Sequence, residues 1–119
     1  MTLEIIGRVN AWLADNSDWA RASRERWGLR VKFGVLSREW VERGGLDAGT
    51  EAAMRGVLLA LAGEAWGQDV GLDFDRGQWR VLLHEAQQMR RGVRWLRSVA
   101  AYGATKDGAL VVALEAAPK

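Results

Sequence analysis

From Trp79 to Ala100 the apolar side chains recur at intervals of three and four: Trp79, Leu82, Ala86, Met89, Val93, Leu96, Ala100. That spacing traces one face of an α-helix. The same segment carries the strongest helix-start signal in the chain. Asp75 stands as an N-cap with Gln78 three residues on as its capping-box partner, and Phe74 and Trp79 occupy the two hydrophobic-staple positions. The pattern runs to Tyr102, and Gly103 is placed as a C-cap. At ~1.5 Å per residue the expected helix is roughly 40 Å long. A chain of 119 residues has to fold around it.

The rest of the sequence agrees with helices. Its one proline is Pro118, and Ala, Leu, Arg and Glu are frequent. Residues 3–14 predict a first helix on Ile5, Val9, Trp12 and Leu13, ended by Asp15-Asn16-Ser17. Residues 17–27 predict a short charged helix stopped near Gly28. Between 29 and 36 two periods compete. Leu29, Val31, Phe33 and Val35 alternate like a strand, while Leu29, Phe33, Leu36 and Trp40 fit a helical stripe, and the helical surroundings favour a helix over 30–43 ended by Gly44-Gly45. A helix over 47–66 presents Met54, Val57, Leu58, Leu61 and Ala65, and Gly67 closes it. Residues 109–114 (ALVVAL) read as a short strand or a final helical turn. The expected fold is all-α: one helical domain over 1–119, a compact bundle of four to five helices with a long basic C-terminal helix.

Charge is distributed in blocks. Residues 46–75 hold one basic and six acidic side chains, and residues 76–106 hold seven basic and one acidic. Such asymmetry suits a polyanion partner for the basic block, or head-to-tail pairing of copies. Wound as a helix, the basic block puts Arg76, Arg80, Arg90, Arg91, Arg94 and Arg97 within an arc of about 120°, with the one acidic residue, Glu85, off it. An arginine stripe without interleaved acids repels itself unless an anion neutralises it. Trp95 borders this stripe, where it could stack on a base or fill a subunit contact. These seven residues are the candidate nucleic-acid-binding set.

Several chemistries find no residues. There is no cysteine and a single histidine, His84, so disulfides, thiol catalysis, iron–sulfur clusters and histidine-based metal centres are excluded. Counting an EF-hand from Asp73 places Gln78 and His84 where the turn glycine and bidentate glutamate belong, so calcium is excluded there. No Gly-rich phosphate loop or Ser–His–acid motif occurs. The expectation is a protein that is not an enzyme and needs no cofactor. The longest apolar run, Gly56 to Gly63, is too short for a bilayer, and the N-terminus lacks a basic leader region, which predicts a cytoplasmic protein with no membrane partner. Seven tryptophans are the remaining anomaly. Trp12, Trp40 and Trp79 sit on apolar stripes as core residues, whereas Trp19, Trp27 and Trp66 lie near helix ends, where inter-helix or subunit contacts form.

Two segments stand out, MRRGVRWLRSVAAY (Met89 to Tyr102) and LSREWVERGGL with the following AAMRGVLLALAG. In them the protein resembles the small subunits of CRISPR effector ribonucleoprotein complexes. The resemblance implies a helical bundle without nuclease activity. It implies copies stacked head to tail along larger, guide-RNA-bound subunits, and a basic groove for a target or displaced strand. Arg80, Arg91 and Arg94 would then hold backbone phosphate without reading sequence. The expected function is therefore a nucleic-acid-backbone-binding accessory subunit of a ribonucleoprotein, its ligand RNA or single-stranded DNA. One alternative is a protein-binding inhibitor or adaptor, phage- or defence-related. A second is a helix-turn-helix DNA-binding regulator built on two short helices around Gly28.

Overall fold

The computed structural model describes residues 1–118, apart from the side chain of Ala86. Among these residues there are five helices and three strands, in the order α1 (Leu3–Asp15), α2 (Ser17–Arg21), α3 (Arg24–Arg43), α4 (Ala48–Trp66), β1 (Leu72–Asp75), β2 (Gln78–Met89), β3 (Gly92–Gly103) and α5 (Lys106–Glu115). The fold is mixed α/β, not all-α. The chain divides into two compact units, Met1–Met54 and Arg55–Lys119.

In the first unit the helical expectations hold, with shifted boundaries. Thr2 and Ser23 cap α1 and α3 by accepting the backbone N–H of Ile5 and Arg26. The strand–helix competition over 29–36 resolves as helix, because α3 is continuous from Arg24 to Arg43. It passes through Gly28 without a break, so the two short helices expected around that glycine do not form. Gly44 ends α3 in the left-handed conformation, φ 71°. Ile5, Ile6, Val9 and Leu13 of α1 are buried, as are Ala20 of α2 and Phe33 and Leu36 of α3. Asn10 crosses from α1 to donate to the Phe33 carbonyl and the Ser37 hydroxyl.

The second unit corrects the long C-terminal helix. Residues 72–103 form a three-stranded antiparallel sheet in the order β1-β2-β3. Asp75 and Gln78 are the paired residues flanking a two-residue turn, and Phe74 and Trp79 are the next pair out. The rings of that pair meet edge to face at 5.3 Å. Arg76 and Gly77 have φ of 52° and 82°, the left-handed values of a type I′ turn. A second two-residue loop, Arg90-Arg91, joins β2 to β3 at the pair Met89–Gly92. Val81, Leu83 and Ala101 share one buried face of this sheet, and Ala109, Leu110, Val111, Ala113 and Leu114 of α5 are buried with them. The ambiguous 109–114 segment is thus helix. Its all-round apolar character marks burial and hides any period.

Three contacts fix α5. Arg55 of α4 grips the buried Asp107 carboxylate through Nε at 3.0 Å and Nη2 at 3.3 Å. Trp66 Nε1 donates to the Ala113 carbonyl at 2.7 Å. Gly103 lies so close to the start of α5 that an added Cβ would sit 2.4 Å from the Ala109 nitrogen. No helix among the described residues is long and apolar enough to cross a membrane.

Two substitutions at the ends of the sheet move stability in opposite directions. Gly103→Ala forces a methyl group onto the backbone of α5 and is expected to lower unfolding free energy by about 1–3 kcal/mol. Arg76→Asn keeps the turn but removes most of the left-handed penalty of a long side chain, and is expected to add about 1 kcal/mol. Urea denaturation measures both.

Candidate nucleic-acid interface

Hairpin register decides which face each candidate residue occupies, because paired residues share a face and neighbours alternate. The pairs Val81–Ala101 and Leu83–Val99 belong to the face packed with α5. The pairs Arg80–Tyr102, Leu82–Ala100 and His84–Ser98 belong to the opposite, open face. One residue further on, β3 carries a bulge: Glu85 pairs with Arg97 and Ala86 with Trp95, leaving Leu96 unopposed. The bulge moves Trp95 onto the open face, where its ring meets that of His84 at 5.2 Å. Beyond this point every residue of β2 and β3 whose side chain is described is exposed, on both faces. The hairpin therefore ends in a two-stranded arm.

The six arginines do not form one stripe. Arg76 sits in the β1–β2 turn, at the opposite end of the hairpin from Arg90 and Arg91. Arg80 lies beside β1 and forks onto Asp73, with Nε at 2.9 Å and Nη2 at 2.6 Å, and reaches Asp75 at 3.3 Å. Arg97 forks onto its cross-strand partner Glu85 at 2.6 and 2.7 Å. These two are neutralised within the chain. Arg90, Arg91 and Arg94 are gathered at the tip, around a shallow concavity that Met89, Gly92 and Val93 also line. No carboxylate pairs with these three among the described residues. The candidate set thus contracts to three bare arginines and Trp95, which is 60% exposed.

The helical reading missed the open face. It presents Tyr102, Leu82, His84 and Trp95 in a row of about 20 Å from the Arg80–Tyr102 pair to the Ala86–Trp95 pair. The available signal was the alternation Arg80, Leu82, His84 against Val81 and Leu83. His84 Nδ1 is 3.1 Å from Ser98 Oγ, and among the described residues no carboxylate meets the ring as the third group that orients a catalytic histidine. The arm is anchored at its root by Gln68. Its side-chain amide donates to the His84 carbonyl at 2.6 Å and accepts from the His84 N–H at 3.0 Å, closing the edge of β2 beyond the end of β1.

Hydrogen bonds from Arg80 hold the Asp73 carboxyl below the usual carboxylate range, and those from Arg97 do the same for Glu85. Both guanidinium pKa values rise in return, Arg80 through Asp73 first and Arg97 through Glu85 first. A carboxyl whose pKa is lower folded than unfolded stabilises the fold above its unfolded value, and that contribution disappears as pH falls through the folded value. Hairpin amide protection is therefore expected to be flat near neutrality and to weaken below about pH 4. Asp73→Asn removes part of that acid dependence, as hydrogen exchange across pH 3–7 will measure. Against models of protein families, curated proteins and solved structures, the chain has no match.

Proposed function

We propose that this protein is a non-enzymatic binder of nucleic-acid backbone, acting through the arm of the β2–β3 hairpin. The observation that carries the proposal is the composition of that arm. It bears three arginines without internal counter-ions, an exposed indole beside them, and no packing on either face. Guanidinium groups match phosphate oxygens in a forked geometry. Trp95 supplies the flat apolar surface on which an unpaired base stacks, with Tyr102 and His84 continuing that surface toward the root. A single strand suits this layout because its bases are free to stack, while the arginines hold phosphate irrespective of sequence. An isolated two-stranded ribbon is marginally stable in water, so a ligand along the arm would also order it.

The accessory-subunit form of the proposal, a small subunit of a CRISPR effector ribonucleoprotein with larger subunits and head-to-tail copies as partners, keeps less support. MRRGVRWLRSVAAY forms the β2–β3 loop and strand β3, not the helix that the resemblance implied. The α3–Gly44–α4 segment does have the implied helix, glycine turn and apolar helix. The proposal for the arm does not depend on that form.

Binding of labelled single-stranded oligonucleotides, followed by anisotropy over a salt series, tests it. Three phosphate contacts predict a slope of about −2 in log affinity against log salt. Replacing Arg90, Arg91 and Arg94 together by Gln is expected to flatten the slope and weaken binding. Trp95→Ala is expected to cost about 1–3 kcal/mol with the slope unchanged. Arg97→Gln, which removes an already neutralised charge, is the control. Absence of binding at low salt, or a triple variant that binds like the parent, overturns the proposal.

A further inference from the structure

A different surface lies on α3, turned away from its buried face. With Trp27 at zero on a helical wheel, Val31, Val35 and Val41 fall within about 80° of it, while Phe33 and Leu36 lie near the opposite side. All four stripe residues are exposed: Trp27 by 42%, Val31 by 54%, Val35 by 43% and Val41 by 65%. Trp27 is held in place by Arg21 and Arg30, whose guanidinium carbons stand 5.6 and 5.2 Å from its ring centre. Four large apolar side chains along one exposed helix face form the kind of contiguous patch that marks an interaction surface.

The charges around the stripe identify what covers it. Arg24 and Glu42 are both exposed, both stand at about 60° on the same wheel, and neither has an ion-pair partner among the described residues. They lie equally far along the helix from residue 33, in opposite directions, as Val31 and Val35 also do. In two α3 helices that cross antiparallel at the level of residue 33, Val31 faces Val35 of the second copy. Arg24 then faces Glu42 of that copy, and the two-fold axis repeats both contacts. Trp27 comes level with Glu39 of the second copy and stands across from its Arg38 and Val41. A crossing roughly 20° from antiparallel keeps the ends within reach of an arginine. The stripe is complementary to itself, which is the property of an isologous interface.

We infer that the exposed face of α3 is a homodimer interface, closed at each end by an Arg24–Glu42 pair between copies. Such a pair is symmetric and does not propagate. It shares no residue with the proposed nucleic-acid site, so the two proposals fail independently.

Sedimentation velocity of the full chain over a concentration series, without nucleic acid, tests the inference. The parent is expected to pass from monomer to dimer as concentration rises. Arg24→Glu places two acids at each end of the interface and Glu42→Arg places two bases, so each variant alone is expected to lose dimer at least tenfold. Mixed in equal amounts, the two restore opposite charges at both ends and are expected to form the heterodimer. Both positions are exposed, so each variant is expected to keep its helices, as circular dichroism will measure. A parent that stays monomeric throughout overturns the inference. So do single variants that dimerise like the parent, or a mixture that fails to recover the dimer.

Discussion

The functional reading of this protein depends on one geometric constraint, the register of the β2–β3 hairpin. A slip of one residue exchanges the two faces of a strand. Three features hold this register. Arg76-Gly77 closes the turn into β2 with two left-handed residues, and Gly92 follows the Arg90-Arg91 loop with φ 129°. Gly103 then ends β3 at a separation from α5 that only a glycine permits. Between these points the Leu96 bulge changes the phase once, and that single change brings Trp95 onto the open face with His84. Without it Trp95 would share a face with Arg97, and the open face would present Leu96 instead.

The constraint was hard to read because helix and hairpin share spacings. A capping box joins residues three apart, and a staple joins residues five apart around it. The same two intervals describe the first and second pairs flanking a two-residue turn, which is how Asp75–Gln78 and Phe74–Trp79 in fact meet. The 3-4-3-4 stripe misleads in another way. An interval of three crosses a strand from face to face, so its members divide between both sides of the sheet. Leu82, Met89, Val93 and Leu96 are exposed, and the buried residues are Val81, Leu83 and Ala101, which the stripe omits. By contrast α1, α4 and the end of α3 were legible because burial and period agree there and glycine ends two of these helices. Gly44 and Gly67 both take left-handed φ. Of the proposed site, Trp95 and the tip arginines already belonged to the set drawn from the sequence, but on a helix that the structure replaces with a hairpin.

Tryptophan contributes differently from what its abundance suggests. None of the seven is fully buried: five are half-buried, and Trp27 and Trp95 are exposed. Phe33 and aliphatic side chains make the core. The indoles frame it, each with its polar edge or ring face engaged. Trp40 donates to the Met1 carbonyl and Trp66 to that of Ala113. Trp19 meets Trp12 edge to face and lies under Arg26 at 4.2 Å, and Trp79 lies under Lys106 at 4.8 Å. Arg21, Arg26, Arg30 and Lys106 thus stand over indole faces, where a cation costs little desolvation. Among the described residues Trp95 has no cation over its ring, and that ring meets His84 edge to face.

The hairpin tip departs from that pattern by gathering, within five positions, three cations unpaired among the described residues. A cation in this chain is commonly offset by a carboxylate or an indole, as Arg80, Arg97, Arg55, Arg26 and Lys106 each illustrate. Arg90 and Arg91 occupy adjacent positions in a two-residue loop, and Arg94 follows three residues later. Placing three like charges so close raises the energy of the folded arm by mutual repulsion, and salt screens but does not remove it. The loop geometry needs a glycine at 92 but nothing basic at 90 or 91, so the fold does not require these charges. The apolar residues beside them, Val93, Trp95 and Leu96, are exposed as well, which adds a hydration cost to an electrostatic one. An anionic chain with stackable bases relieves both costs at once. A neutral apolar partner would relieve only the second, and a simple anion only the first.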